Sequence, residues 1–392
     1  MILVSIKRKL KAIPRGWEVK KIEEVSKQVF AGGTPSTRKP DYWDGDIPWM
    51  SSGEINNRFI YYTDKMITKV GYESSSTKMV PKNSILIALA GQGKTRGTVG
   101  MNKIELCTNQ SIASIVPEHM VDPKYLYYNL DSRYDELRRL STGDGGRGGL
   151  NLKIINNIHL ALPPLKEQRK ISKILSTWDK AIELKEKLIE QKKEQKKGLM
   201  QKLLTGEVRV PGFNGKWKEY RLGTLSEIST GNKDTKDKVE NGSYPFFVRS
   251  ENIERINSYS YDGEAILIPG DGNIGQIYHY INGKFDFHQR VYKISDFNNK
   301  CIGKFIYYYL QQYFYREAMK YSAKATVDSL RLPMLTDMII QLPEIPEQIA
   351  IVKILDAADK EISFFNLELE KLNLQKKGLM QLLLTGKVRV KV

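Results

Sequence analysis

Two stretches of the chain carry apolar residues at helical spacing over an unusual length. In the first, Ile171, Ile174, Leu175, Trp178, Ile182, Leu188 and Ile189 recur three and four apart; in the second, Ile351, Ile354, Leu355, Ala358, Ile362, Phe365, Leu369 and Leu372 do so. Each run starts beside a proline, Pro164 or Pro346, and Gly206 and Gly386 are natural stops. The pattern predicts two helices of about 40 residues, roughly 60 Å each at 1.5 Å per residue. An apolar stripe of that length needs a partner, and one domain is too small to cover it. The two helices are therefore expected to pair with each other in an intramolecular coiled coil, in preference to each packing only on its own domain.

Elsewhere the periodicity changes. Short β-type runs (Ser84–Leu89, Ser111–Val116, Ala265–Ile268, Val291–Ile294) alternate with Gly, Asn and Pro turns, and one helix is expected around Pro123–Leu140 and another around Ile302–Tyr321. These segments read as α+β domains.

The chain is also written twice. Glu167-Gln168 returns as Glu347-Gln348, Gln195-Lys196-Lys197-Gly198-Leu199-Met200-Gln201 as Gln375-Lys376-Lys377-Gly378-Leu379-Met380-Gln381, and Leu203-Leu204-Thr205-Gly206 as Leu383-Leu384-Thr385-Gly386, all 180 residues later. Over this stretch 24 of 44 positions match without a gap, which marks a true repeat. The segments before it are related more loosely: Trp17 and Trp217 each open one, and Tyr125-Leu126-Tyr127-Tyr128 aligns with Phe305-Ile306-Tyr307-Tyr308. The plan is variable domain, constant segment, variable domain, constant segment, with expected boundaries 1–162, 163–205, 206–342 and 343–392.

Charge adds a partner class. The 392 residues hold 62 Lys and Arg against 45 Asp and Glu, net +17, an excess that favours a polyanion. It is concentrated early: residues 1–161 are net +8 and 165–204 net +6, whereas 206–341 are net +2 and 345–385 net −1. No run of about 18 apolar residues offers a membrane span, and the start of the chain lacks the charge order of a signal peptide. Cys107 and Cys301 are far apart and the four histidines are scattered, so neither a disulfide framework nor a metal site is expected, and a cytoplasmic location fits.

Several motifs imitate catalytic ones. Ala88-Leu89-Ala90-Gly91-Gln92-Gly93-Lys94-Thr95 approaches a phosphate-binding loop, but Arg96-Gly97-Thr98-Val99-Gly100 follows it with turn and strand chemistry in place of a helix. Phe30-Ala31-Gly32-Gly33 lacks any companion methyltransferase motif, and Asp41, Asp44 and Asp46 around Gly45 read as turn residues. As nucleic-acid contacts, the loops are better placed. The candidates in the first domain are Ser51 and Ser52 after Pro48-Trp49, Gln92, Lys94, Thr95 and Arg96, Asn109 and Gln110, and Arg147 in its glycine-rich surroundings. In the second they are Arg249, Ser250 and Asn252, Asn273, His288, Gln289 and Arg290, with Lys324, Thr326 and Arg331. Gln and Asn can read adenine edges and Arg guanine, while Lys and Arg also meet phosphate. No catalytic, cofactor-binding or metal-binding residue is expected.

The residues together resemble the specificity subunits of type I restriction–modification enzymes. The resemblance rests on Gly32-Gly33-Thr34-Pro35-Ser36, Ile47-Pro48-Trp49, Pro163-Pro164-Leu165 leading to Glu167-Gln168, the Pro346-Glu347-Gln348 copy and the two Leu-Leu-Thr-Gly endings. The second half has Thr230-Gly231-Asn232-Lys233 where the first has its Gly-Gly-Thr-Pro-Ser turn, which suggests a different loop. The resemblance implies two target-recognition domains in a pseudo-twofold tandem repeat, each reading half of a split site in double-stranded DNA. It implies an antiparallel helix pair as the spacer, and methyltransferase subunits, two of them, docked on those helices. A motor nuclease subunit would join for cleavage. S-adenosylmethionine, ATP and Mg are implied on the partner subunits and none on this chain, which would itself be non-catalytic. A coiled-coil scaffold with non-specific nucleic-acid affinity, or a nucleotide-dependent enzyme using Gly91–Thr95, are the alternatives.

Overall fold

The computed structural model describes residues 13–91, 93–141, 149–272, 274–321 and 329–392. Two units result, and they cut across chain order: residues up to Lys185 join Glu368–Val392 in one, and Glu186–Leu367 form the other.

In the first unit the strands that matter are β1 (Ser26–Ala31), β2 (Trp43–Met50), β3 (Ile85–Ala88), β4 (Leu106–Thr108) and β5 (Ile112–Pro117). Strand β5 lies antiparallel between β1 and β3, with Ile115 opposite both Val29 and Ile85. Strand β4 runs parallel to β2, pairing Thr108 with Met50. The expected 123–140 helix is broken into α1 (Pro123–Asp131) and α2 (Tyr134–Leu140). Asp122 caps α1 by accepting from the Tyr125 amide, 2.9 Å. At the break, Arg133 leaves helical geometry and donates to the His159 carbonyl, 2.8 Å. Ile85 and Ile87 of the sheet and Tyr125 and Leu126 of α1 share one core with Ile171 and Leu175 of the first long helix, α3 (Leu165–Leu203), and with Met380, Leu383 and Leu384. Residues nearly 300 positions downstream of the sheet thus complete its core.

The second unit repeats the plan with β6 (Glu227–Thr230), β7 (Tyr244–Phe247), β8 (Tyr261–Pro269), β9 (His279–Phe287) and β10 (Val291–Ser295) in one six-stranded sheet. Strand β10 lies between β6 and β8, with Ile294 opposite Ile228 and Ile266; β9 runs parallel to β7, pairing Phe287 with Phe247. Helix α4 (Gly303–Met319) packs Phe305, Ile306 and Leu310 into this core, together with Ile351 and Leu355 of the second long helix, α5 (Ile345–Leu383).

Both long helices are unbroken over 39 residues. Within each unit they run antiparallel. Lys185 pairs with Glu368 at 3.0 Å and Asp179 with Lys376 in the first unit, and Lys192 pairs with Glu361 at 2.9 Å and Lys196 with Asp359 at 2.6 Å in the second. The fold is a tandem repeat of two α+β domains, with the long helices paired antiparallel as a coiled coil.

The repeated sequence makes the same joint twice. Glu167 is buried and takes a two-pronged bond from Arg389, 2.6 and 2.7 Å, while Glu347 takes the same from Arg209, both 2.7 Å. Gln168 accepts from the Asp122 amide and donates to the Pro163 carbonyl, each at 2.8 Å. Gln348 repeats this with Ile302 and Pro343 at 2.8 and 2.9 Å. Tyr128 donates to Asp179, which also binds Lys376; Tyr308 donates to Asp359, which also binds Lys196. Burial, and then Asp179 at Tyr128 and Asp356 with Asp359 at Tyr308, push both phenols well above the usual tyrosine range, so each hydroxyl stays a donor. At these joints the 180-residue period is thus a contact period: Glu167, Gln168 and Asp179 find the copies of the partners that Glu347, Gln348 and Asp359 find.

Candidate nucleic-acid interface

The polar candidates gather where these strands end. In the first unit, the Gly33 amide bonds the Thr108 carbonyl (2.8 Å), the Asn109 amide the Met50 carbonyl (3.0 Å) and the Leu89 amide the Ser111 carbonyl (2.8 Å). The exits of β1, β2, β3 and β4 are thereby tied together beside the start of β5. In the second unit, His288 bonds Phe247 (2.9 Å), Gln289 bonds Lys233 (2.8 Å) and Gly270 bonds Arg290 (2.7 Å), again amide to carbonyl. These bonds align Met50 with Phe247, Asn109 with His288, Gln110 with Gln289, Ser111 with Arg290 and Leu89 with Gly270.

The two edges nevertheless share one glycine approach, although the second half lacks the Gly-Gly-Thr-Pro-Ser turn. A Cβ on Gly32 would sit 2.0 Å from the Thr108 carbonyl oxygen, and one on Gly231 would sit 2.0 Å from the Phe287 carbonyl oxygen. Both strands approach so closely that only glycine fits. Gly231 therefore does the work of Gly32, although the residues that follow differ.

What the two edges offer is not alike. In the first, Gln110 is exposed and its Oε1 accepts from the Thr34 hydroxyl at 2.6 Å. Asn109 turns its Oδ1 back to the Ser111 amide, 3.1 Å. Ser51 bonds Glu54, 3.0 Å through its hydroxyl, and Ser51 and Ser52 are half-buried. Lys94 is exposed and Thr95 and Arg96 half-buried on a loop held by α2. Tyr134 donates to the Lys94 carbonyl at 2.7 Å, and Arg138 to the Gly93 carbonyl at 2.8 Å. That loop closes as a turn, the Gly97 amide on the Ala88 carbonyl at 2.9 Å, and leads to strand Val99–Asn102. Among the described residues of this loop no helix N-terminus stands ready to hold a phosphate.

In the second edge, Arg249 and Arg290 are exposed and Gln289 donates to Asp234 at 3.4 Å. His288 is buried. Its Nδ1 accepts from the Arg290 amide at 2.9 Å, and burial followed by the Arg249 charge lowers its pKa, so a neutral ring shapes the turn and does not face a ligand. The Ser250 hydroxyl donates to the Asn252 carbonyl, 3.2 Å, and Asn252 is exposed. Arg331 is exposed beside Leu330, whose amide bonds the Gly270 carbonyl at 2.8 Å. Gln92, Arg147, Asn273, Lys324 and Thr326 lie outside the described residues. Three partners escaped sequence reasoning: Thr34, Asp234 and Asp271. Their signal was available only by setting the two edges side by side, since each is a common turn residue.

Asp41 lies in the short helix Pro40–Tyr42, and Asp44 takes φ +59° in the turn before Gly45. Among the described residues, no group of three or more potential ligands could hold a metal ion, and no helix is long and apolar enough to cross a membrane.

A tandem of two α+β domains, each with the same strand-end backbone bonds and its own polar side chains, and with antiparallel long helices, defines a class of bipartite recognition proteins. Residues 14–193 and 214–374 each match the type I restriction modification DNA specificity domain, and the chain belongs to that family. It is 27% identical to the type I restriction enzyme MjaVIII specificity subunit of Methanocaldococcus jannaschii, over 97% of this chain and 94% of that one. It is 33% identical to the type I restriction enzyme MjaIX specificity subunit of the same organism, over 45% of this chain and 40% of that one. The solved S subunit from M. genitalium has the same fold, with TM-score 0.60 at 17% identity over 95% of this chain and 96% of that one.

Proposed function

We propose that this chain reads a two-part sequence in double-stranded DNA, one half-site per unit, for a type I restriction–modification complex. The observation that carries the reading is one strand-end scaffold built twice and furnished differently. The Gly32 and Gly231 approaches and the strand-end bonds are kept. The exposed side chains on them are not. A sequence reader needs this division, because backbone positioning is common to all sites while base-edge contacts specify one. The paired helices serve as spacer and as the docking surface for two methyltransferase subunits, with a motor nuclease subunit joining the complex. The chemistry, with S-adenosylmethionine, ATP and Mg, belongs to those partners. This chain supplies recognition and no catalysis.

The test is a methylation map of cells co-expressing the chain with its methyltransferase. A split motif with a fixed gap, lost when the chain is omitted, is the expected result. An active methyltransferase that leaves the same marks with and without this chain would overturn the reading.

A further inference from the structure

The second edge carries a charge arrangement that the aligned, described positions of the first do not. Asp271 follows β8, and its backbone is fixed by a bridge to Ser329 and by the neighbouring Gly270–Arg290 bond. Its Oδ2 accepts from Arg249 Nη1 at 3.2 Å and lies 3.6 Å from Arg290 Nη1. Asp271 is only 21% exposed at its side chain, whereas Arg249 and Arg290 are 49% and 64% exposed. Beneath them the buried His288 ring holds the Arg290 amide. The aligned positions in the first unit are Ser52, Ala90 and Ser111, which carry no charge.

We infer that Asp271 presets Arg249 and Arg290 as a paired guanine-reading fork, so that the second half-site contains guanine at the positions they meet. The inference rests on the DNA reading proposed above and names the residues that specify one half of it. Each guanidinium has five N–H donors, and one carboxylate occupies few of them. The rest remain as donors on two exposed side chains, and the major-groove edge of guanine, with N7 and O6, is the acceptor pair that fits such a fork. Sharing one carboxylate keeps the two Nη1 atoms within about 7 Å of each other, a span of two base-pair steps. The carboxylate also decides between base and phosphate. A phosphate contact needs charge more than orientation, and a fixed anion beside the arginines would repel it. A base contact needs orientation, and a buttressing acid provides that while limiting non-specific attraction.

The experiment selects duplexes from a randomised DNA library with the full chain co-purified with its methyltransferase, comparing wild type, Arg249→Gln, Arg290→Gln and Asp271→Asn. The wild type is expected to enrich a split motif with guanine in one half. Each arginine variant should lose about tenfold or more of its guanine preference at one position, and the other half-site should be unchanged, which also certifies folding. Asp271→Asn should weaken the guanine preference and bind unselected duplex more tightly, with a steeper salt dependence. Arginine variants that weaken binding to all sequences alike, with base preferences intact, would make these phosphate contacts and overturn the inference. So would a wild-type second half-site without guanine, or an Asp271→Asn selection identical to wild type. A wild-type complex that enriches no split motif would instead overturn the DNA reading, and this inference with it.

Discussion

The joints at the helix ends and the edges at the strand ends obey opposite rules. At the joints, Glu167–Arg389 and Glu347–Arg209, or Asp179–Lys376 and Asp359–Lys196, are the same pairs made twice. At the edges, the backbone bonds are copied, but Gln110 with Thr34 faces one side of the comparison and Arg249, Asp271 and Arg290 the other. The difference teaches where each region's constraint lies. A joint must fit another part of the same chain, so both copies are held to one solution. An edge must fit something outside the chain, and two edges meeting two different half-sites have no reason to agree.

The comparison can be broken first at the joints. Lys376→Met leaves Asp179, whose side chain is 19% exposed, without its cation, and should destabilise the first unit by about 3 kcal/mol. Lys196→Met strands the 40%-exposed Asp359 and should cost about 1 kcal/mol in the second. Urea unfolding with hydrogen exchange resolved by unit measures both; equal losses would mean that burial does not set the difference. Next, Gly32→Ala and Gly231→Ala should each destabilise by about 2 kcal/mol, because a carbonyl must move in both edges. Tolerance at Gly231 alone would show that the two approaches are not equivalent after all.

Smaller effects sharpen the contrast. Trp17 donates its indole N–H to Glu167 at 3.2 Å, while the buried Trp217 N–H has no hydrogen-bond acceptor among the described residues. Trp17→Phe should therefore cost about 1 kcal/mol more than Trp217→Phe in thermal unfolding. The smallest change is Thr34→Val, which removes the tether on exposed Gln110. A few-fold loss of base preference in the first half-site only, read by the same library selection, is expected.

Much of the fold was legible because its signals are long or repeated. The helix stripes from Ile171 and Ile351 and the 24 matching positions needed no structure to find. The break at Ser132–Arg133 was not legible, since nothing in Asp131-Ser132-Arg133-Tyr134 forbids a helix; a tertiary bond from Arg133 to the His159 carbonyl accompanies it. For the site, exposed Arg249, Gln289 and Arg290 could be nominated by residue type, but buried His288 was nominated by the same logic. Residue type does not report burial. Asp271 was not among the nominated residues, and its sense emerges only from the two arginines it holds.

The joint between Glu167 and Arg389 also sets an order of events during synthesis. The second unit is one uninterrupted stretch, residues 186–367, and can close as soon as that stretch leaves the ribosome. The first unit cannot, because Met380, Leu383, Leu384 and Arg389 belong to it. At 5–20 residues per second, its earlier part waits roughly 10–40 s for them. The half that is made first is finished last, and for that interval the apolar surface around Ile171 and Leu175 is a nascent-chain liability that a chaperone would have to cover and that slower translation would prolong.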